Sequence, residues 1–219
     1  EVAPVISPEQ IKLCVFDFDG TLVDSMGAFA DLAGKLMEEV HGVPFDEARR
    51  NYLDTSGVPF YQQLEILFTG DPRNPGVVER FEKGKLEGFF AEPYFADVPD
   101  ALGQIQASGR KVAVSSNNFQ ENVEEFVAGH AVPFDHVLGF RPGFEKGKDH
   151  FQYLIDQEGI LPESILFVGD SLKDGERAQG SGVSFAGRIG TFTKAQFQAK
   201  FPNSPVLSTL KDLVVWLKL

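Results

Sequence analysis

Two aspartates, Asp17 and Asp19, stand one residue apart at the end of a short apolar run, Leu13-Cys14-Val15-Phe16, and lead into Gly20-Thr21. A run of this kind reads as a buried strand, which places both carboxylates at a strand's carboxyl end. Like charges held so close repel, and the pair is relieved by keeping one proton or by binding a cation. Such a pair has the chemistry of a nucleophile, a proton donor or a ligand for a hard cation. Two other polar clusters close apolar runs in the same manner. Ser116-Asn117 ends the run that begins at Lys111, and Gly169-Asp170-Ser171 follows Ile165-Leu166-Phe167-Val168.

Each of these runs precedes a segment with helical spacing of apolar residues. Strands alternating with helices predict a parallel sheet covered on both faces. In open sheets of that kind reactive groups gather beyond the strands' carboxyl ends, where Asp17, Ser116 and Asp170 all fall. Further short strands are expected at 136–140, 183–186 and 205–207. The stretch from Met26 to Tyr94 differs: Phe29, Leu32, Leu36 and Val40, then Tyr61, Leu64 and Phe68, then Val78 and Phe81 follow helical spacing with no strand among them. The expected fold is therefore α/β, a Rossmann-like parallel-sheet core (1–25 and 96–219) with an inserted all-helical cap (26–95).

Composition narrows the function. Twenty Lys and Arg against 32 Asp and Glu give a net charge of −12, which repels nucleic-acid phosphates and anionic membranes. No nucleic-acid partner and no membrane partner is expected, and cytoplasm is the expected location. A single cysteine, Cys14, forbids an intrachain disulfide and reads as a small buried hydrophobe. Four scattered histidines without a His-Glu-x-x-His pattern argue against a zinc hydrolase. No Gly-x-Ser-x-Gly elbow and no phosphate-binding Gly-x-x-x-x-Gly-Lys-Ser/Thr loop is present. The 21 phenylalanines fit core packing better than a base-stacking platform.

Residues 16–25 (FDFDGTLVDS) resemble the first motif of the haloacid dehalogenase superfamily. Ser116-Asn117 is similar to the second motif, a lysine of Glu145-Lys146-Gly147-Lys148 to the third, and Val168-Gly169-Asp170-Ser171 with Asp174 to the fourth. The insertion lies where the helical-cap subgroup, which includes phosphoglycolate phosphatases and beta-phosphoglucomutase-like proteins, carries its cap. The resemblance implies that Asp17 attacks phosphorus and forms an aspartyl-phosphate, while Asp19 protonates the leaving oxygen and later activates water. It implies magnesium held by Asp17, the backbone carbonyl of Asp19 and Asp170. It also implies that the Ser116 hydroxyl, backbone amides such as that of Asn117, and the lysine hold phosphate oxygens.

The family's Lys-Pro-x-Pro is absent here. Counting back from Phe151 favours Lys146, and a shorter spacing would favour Lys148. Asp174 reads equally as a carboxylate orienting its neighbours or as an acid favoured at a helix N-terminus. Asp19 disfavours dehalogenase and phosphonate-cleaving chemistry, which leaves a phosphatase for a small phosphorylated metabolite. The alternatives are a phosphomutase and, from another class, a non-catalytic scaffold that binds a phosphorylated ligand. Thr55-Ser56-Gly57 and Arg49-Arg50 are candidate substrate contacts in the insertion, with a capped interhelical turn and solvated helix charge as the plainer readings. A monomer or homodimer is expected.

Overall fold

The computed structural model describes residues 5–219. The chain divides into two compact units: one takes the chain up to Val23 and from Tyr94 to Leu219, and the other is Asp24–Pro93. The first begins with β1 (Leu13–Phe16). The second holds α1 (Met26–His41), α2 (Phe45–Asp54), α3 (Phe60–Leu67) and α4 (Asn74–Gly88). The first unit resumes with α5 (Val98–Ala107), β2 (Lys111–Phe119), α6 (Gln120–Ala128), β3 (His136–Phe140) and α7 (Lys148–Glu158). It continues through β4 (Ile165–Gly169), α8 (Leu172–Gly180), β5 (Ser184–Arg188), α9 (Lys194–Lys200), β6 (Val206–Leu207) and α10 (Leu210–Trp216).

The six strands form one parallel sheet in the order β3-β2-β1-β4-β5-β6. The fold is thus α/β with a parallel sheet, as the alternation of runs predicts. Every residue of β1 and β4 is buried; strands covered on both faces need unbroken apolar runs, which is why these two were the plainest in sequence. The chain leaves β1 on one side toward β2 and β3, then returns to its other side as β4. That reversal makes a crevice at the carboxyl ends of β1 and β4. Phe16 pairs with both Val114 and Val168, so the polar residues that follow in each strand end at one level.

Phenylalanine fills much of the first unit's core. Phe151 meets Phe167 edge-on at 5.0 Å and Phe185 meets Phe201 at 5.2 Å, geometry favoured by the ring quadrupole. Gly175 in α8 lets the Phe201 ring lie against the helix, since a Cβ there would stand 2.3 Å from a ring carbon. The second unit has its own core of Phe29, Met37, Tyr52, Phe60, Leu64 and Phe81. Three of its candidate contacts, Thr55, Ser56 and Arg49, are engaged within the unit. The Thr55 hydroxyl donates to the Asn51 carbonyl at 2.7 Å, Ser56 donates to the Tyr52 carbonyl at 3.2 Å, and Arg49 pairs with Asp31 at 2.7 Å.

Where the first unit's chain departs and returns, Val23 bridges Tyr94 and the Phe95 amide donates to the Leu22 carbonyl at 2.8 Å. Arg188, buried at the end of β5, donates to the Thr21 carbonyl at 3.0 Å and to both Asp97 carboxylate oxygens at 3.2 Å, and its guanidinium lies 4.0 Å from the Phe95 ring centre. Planar, two-pronged pairing of this kind is what arginine supplies and lysine does not. It ties the turn after the aspartate pair to the returning strand.

β2 runs past Ser116 to Phe119, longer than the apolar run predicts. After a register shift Phe119 pairs with Phe140, and the Gln120 side chain bonds the Gly139 amide at 2.6 Å and the Val137 carbonyl at 2.8 Å. The extra pairing comes from side-chain and register contacts on β3 that hydrophobic pattern does not encode. His150 fastens the same region. Its Nε2 faces the Gly139 carbonyl at 3.0 Å and therefore carries the proton, so Nδ1 accepts from the Ser115 hydroxyl at 2.7 Å. Burial pushes this imidazole down to about 4, neutral at pH 7.

Two predictions follow from this packing. Gly175→Ala gains about 1 kcal/mol of helix propensity but overpacks against Phe201 at about 1–3 kcal/mol, so its denaturant midpoint falls; an unchanged or raised midpoint would contradict the close approach. His150→Asn is destabilised at pH 7 by about 1–3 kcal/mol from unpaired buried groups. The folded histidine titrates below its unfolded value of 6.5, so the unfolded state binds more protons between those values and wild-type stability falls as pH drops through them. The gap between wild type and His150→Asn in melting temperature therefore narrows from pH 7 to 4.

Candidate active site

The crevice gathers the predicted residues that follow β1, β2 and β4. Asp17 is buried, and its amide donates to the Val168 carbonyl at 2.9 Å, which locks it beside β4. Lys146, from the loop before α7, reaches in so that Nζ lies 2.6 Å from Asp17 Oδ1 and 2.8 Å from Asp174 Oδ1. Lys148 is exposed at the start of α7. Asp170, also buried, accepts a hydrogen bond from the Thr191 hydroxyl at 2.5 Å.

Asp174 occupies both roles left open for it. Its amide donates to the Ser171 hydroxyl at 3.0 Å, closing the N-terminal turn of α8, while its carboxylate takes Lys146 and, at 3.3 Å, Arg177. Asp174 Oδ2 is buried without a hydrogen-bond partner among the described residues. It rests over Gly169, where a Cβ would come within 2.4 Å of it. The glycine before Asp170 is therefore a packing requirement of Asp174.

Asp19 and Ser116 form a second cluster with Asn118, whose side-chain amide donates to Asp19 Oδ2 at 2.8 Å and to Ser116 Oγ at 2.9 Å. Asn117 is exposed, and its side-chain carbonyl accepts from the Lys146 amide at 3.2 Å, which anchors the loop that delivers the lysine. Asn118, Thr191 and Arg177 were not singled out in sequence. Arg177 lies one helical turn after Asp174 and was detectable by that spacing. Asn118 was hidden because β2 continues beyond its apolar run, and Thr191 because the turn after β5 carries no motif.

Oxygens of Asp17, Asp170 and Asp174 lie within 4.8 Å of one another. The Lys146 ammonium pairs with Asp17 and Asp174, Arg177 also pairs with Asp174, and Asp170 is held by the neutral Thr191 hydroxyl. Burial, with Asp174 adding to it and Lys146 opposing it, raises Asp17 to about 6. Burial and the charges of Asp17 and Asp174 raise Asp170 well above the usual carboxylate range. Burial also works against the charge of Lys146, but the two carboxylates more than offset it and hold the ammonium above its ordinary value. Asp17 and Asp170 thus hold protons more readily than exposed carboxylates, chiefly because burial penalises their charge. An all-oxygen donor set with one unpartnered oxygen suits a hard divalent cation.

The model of the haloacid dehalogenase-like hydrolase family matches residues 14–188. The phosphoglycolate phosphatase of Synechococcus elongatus is 26% identical over 184 residues, covering 79% of this chain and 81% of that protein. The phosphoglycolate phosphatase of Aliivibrio fischeri is 27% identical over 192 residues, covering 81% and 84%. Among solved structures, a haloacid dehalogenase-like family hydrolase from Streptococcus pneumoniae superposes with a TM-score of 0.79 at 19% identity, over 95% of this chain and 99% of that one. With four motifs in order, a parallel sheet that brings their residues to one crevice, and a family match across most of its length, the chain belongs to the haloacid dehalogenase-like hydrolases.

Proposed function

We propose that the protein is a magnesium-dependent phosphatase that hydrolyses a small phosphorylated metabolite through an aspartyl-phosphate on Asp17. The observation that carries this reading is the buried group of Asp17, Asp170 and Asp174 at the β1/β4 crevice, with the Lys146 ammonium paired to Asp17 and Asp174. An uncompensated anionic cluster would repel a phosphate, so the cluster makes chemical sense with a cation in place. Asp17, Asp170 and the backbone carbonyl of Asp19 would hold Mg2+, which when bound neutralises charge on the phosphoryl oxygens.

The chain's own residues supply the remaining steps. An Asp17 carboxylate oxygen bonds to phosphorus while the bond to the leaving oxygen breaks, its electron pair going to that oxygen. Asp19 gives the leaving oxygen a proton. Asp19 then takes a proton from water as the water oxygen bonds to phosphorus, which releases phosphate and restores the Asp17 carboxylate. Lys146 and the Ser116 hydroxyl hold phosphoryl oxygens through charge-assisted and neutral hydrogen bonds. Asp174 and the Asn117 carbonyl keep Lys146 extended into the crevice. The names of the relatives make 2-phosphoglycolate the first substrate to test.

Phosphate release from a panel of phosphorylated metabolites is expected to require Mg2+ and to stop on chelation. Asp17→Asn is expected to lower kcat by about 10³-fold or more, as loss of a nucleophile does. Release that survives in Asp17→Asn would overturn the assignment; no release, with Asp17 nevertheless becoming phosphorylated, would point to a mutase. Stability offers a separate check. Asp17 titrates above its unfolded value of 3.8, so its ionised form destabilises the metal-free fold at pH 7, and the folded state gains protons first as pH falls from about 6 to 4. Metal-free Asp17→Asn therefore melts a few degrees above wild type at pH 7, with the gap closing over that window. A lower melting temperature at pH 7 would contradict the strained-carboxylate account.

A further inference from the structure

Asn118 is half-buried, and its contacts run to Ser116, two residues back in β2, and to Asp19, 99 residues away in sequence. The Nδ2 amine of its side chain donates to Asp19 Oδ2 at 2.8 Å. Its second hydrogen goes to Ser116 Oγ at 2.9 Å, and the Asn118 backbone amide reaches the same oxygen at 3.0 Å.

Ser116 Oγ accepts from two N–H groups, which uses both lone pairs of a hydroxyl and leaves its own hydrogen to donate elsewhere. One amide thus holds both the hydroxyl that would donate to a phosphoryl oxygen and the Asp19 carboxyl group that would deliver the proton. A capping or purely structural asparagine would spend its amide on backbone groups. Asn118 spends both side-chain hydrogens on the two side chains with proposed chemical roles.

The backbone beneath it is held from the other side. Gly139 approaches so closely that a Cβ would stand 2.9 Å from the Asn118 carbonyl oxygen and 2.5 Å from Gln120 Cα. Gln120 bonds the Gly139 amide and the Val137 carbonyl. The overrun of β2 past its apolar residues is what brings Asn118 to Asp19.

We propose that Asn118 is a positioning residue that directs the Asp19 proton to the leaving oxygen. The inference rests on the phosphatase reading. In the step concerned, an Asp17 carboxylate oxygen bonds to phosphorus, the bond from phosphorus to the leaving oxygen breaks with its electron pair on that oxygen, and the Asp19 proton transfers to it. An alkoxide leaving group needs that proton, whereas p-nitrophenolate departs without it.

The experiment measures kcat/KM of wild type, Asn118→Ala and Asn118→Ser with two substrates, an alkyl phosphate that the enzyme hydrolyses and p-nitrophenyl phosphate. This ratio covers steps through departure of the leaving group. Both variants are expected to lose about 10–100-fold on the alkyl phosphate, part of the roughly 10²–10⁴-fold that general acid catalysis contributes, and at least about tenfold less on p-nitrophenyl phosphate. Asn118→Gln, which keeps an amide donor on a longer arm, is expected to recover part of the alkyl-phosphate rate. Equal losses on both substrates, as misfolding or a structural role would give, or no loss on either, would overturn the proposal. If wild type releases phosphate from no substrate, the phosphatase reading itself fails and this inference fails with it.

Discussion

Three carboxylates crowded at the reversal point of a parallel sheet are the constraint that the rest of the first unit accommodates. Asp17 and Asp170 end adjacent strands, and Asp174 folds back one helical turn later over Gly169. Burial makes their charges costly. Lys146 meets part of that cost through two short ion pairs, and its own loop is anchored by Asn117. Thr191 and Arg177 contribute further contacts from two other elements. Buried carboxylates held this close are electrostatically costly, and each contact from a neighbouring element offsets part of that cost.

Close packing beneath the site makes this crowding possible. Phenylalanines from β4, β5, α7 and α9 interlock edge to face, and glycine at 175 lets a ring lie directly against a helix. The result is a rigid platform in which strand ends are level to within the sheet's register. The buried His150 joins β2, β3 and α7 without carrying charge, so Ser115 and the elements flanking Ser116 and Lys146 are fixed by neutral hydrogen bonds. Arg188 does the equivalent on the other side of β1, pairing with Asp97 and holding the Thr21 carbonyl behind the aspartate turn.

The helical unit between residues 24 and 93 has its own aromatic core, and its polar turn at Thr55-Ser56 is satisfied by the carbonyls of α2. Arg49 is likewise engaged with Asp31. The capped-turn reading describes the contacts of Thr55 and Ser56, whereas Arg49, read as solvated helix charge, is paired with Asp31. The short antiparallel bridge between Val23 and Tyr94 brings the departing and returning chain side by side, so a 70-residue insertion leaves the strand order of the first unit undisturbed.

Buried strands must be apolar and their carboxyl ends must turn, so Asp17-x-Asp19, Ser116 and Gly169-Asp170 were recognisable from local pattern alone. The same logic gave the parallel α/β sheet and the helical insertion, because period and length of apolar runs are local properties. Other features depended on which strands became neighbours. The loop before α7 set Lys146 against Asp17, while Lys148, two residues on at the start of the helix, is exposed to solvent. Pairing with β3 carried β2 beyond its apolar run and brought Asn118 to Asp19. Thr191 and Asp170 meet across 21 positions of sequence, and Asn118 and Asp19 across 99. Sequence determined which residues have the chemistry, and tertiary structure determined which of their protons and charges face one another, because hydrogen bonds of a few ångströms are set by strand register and not by composition.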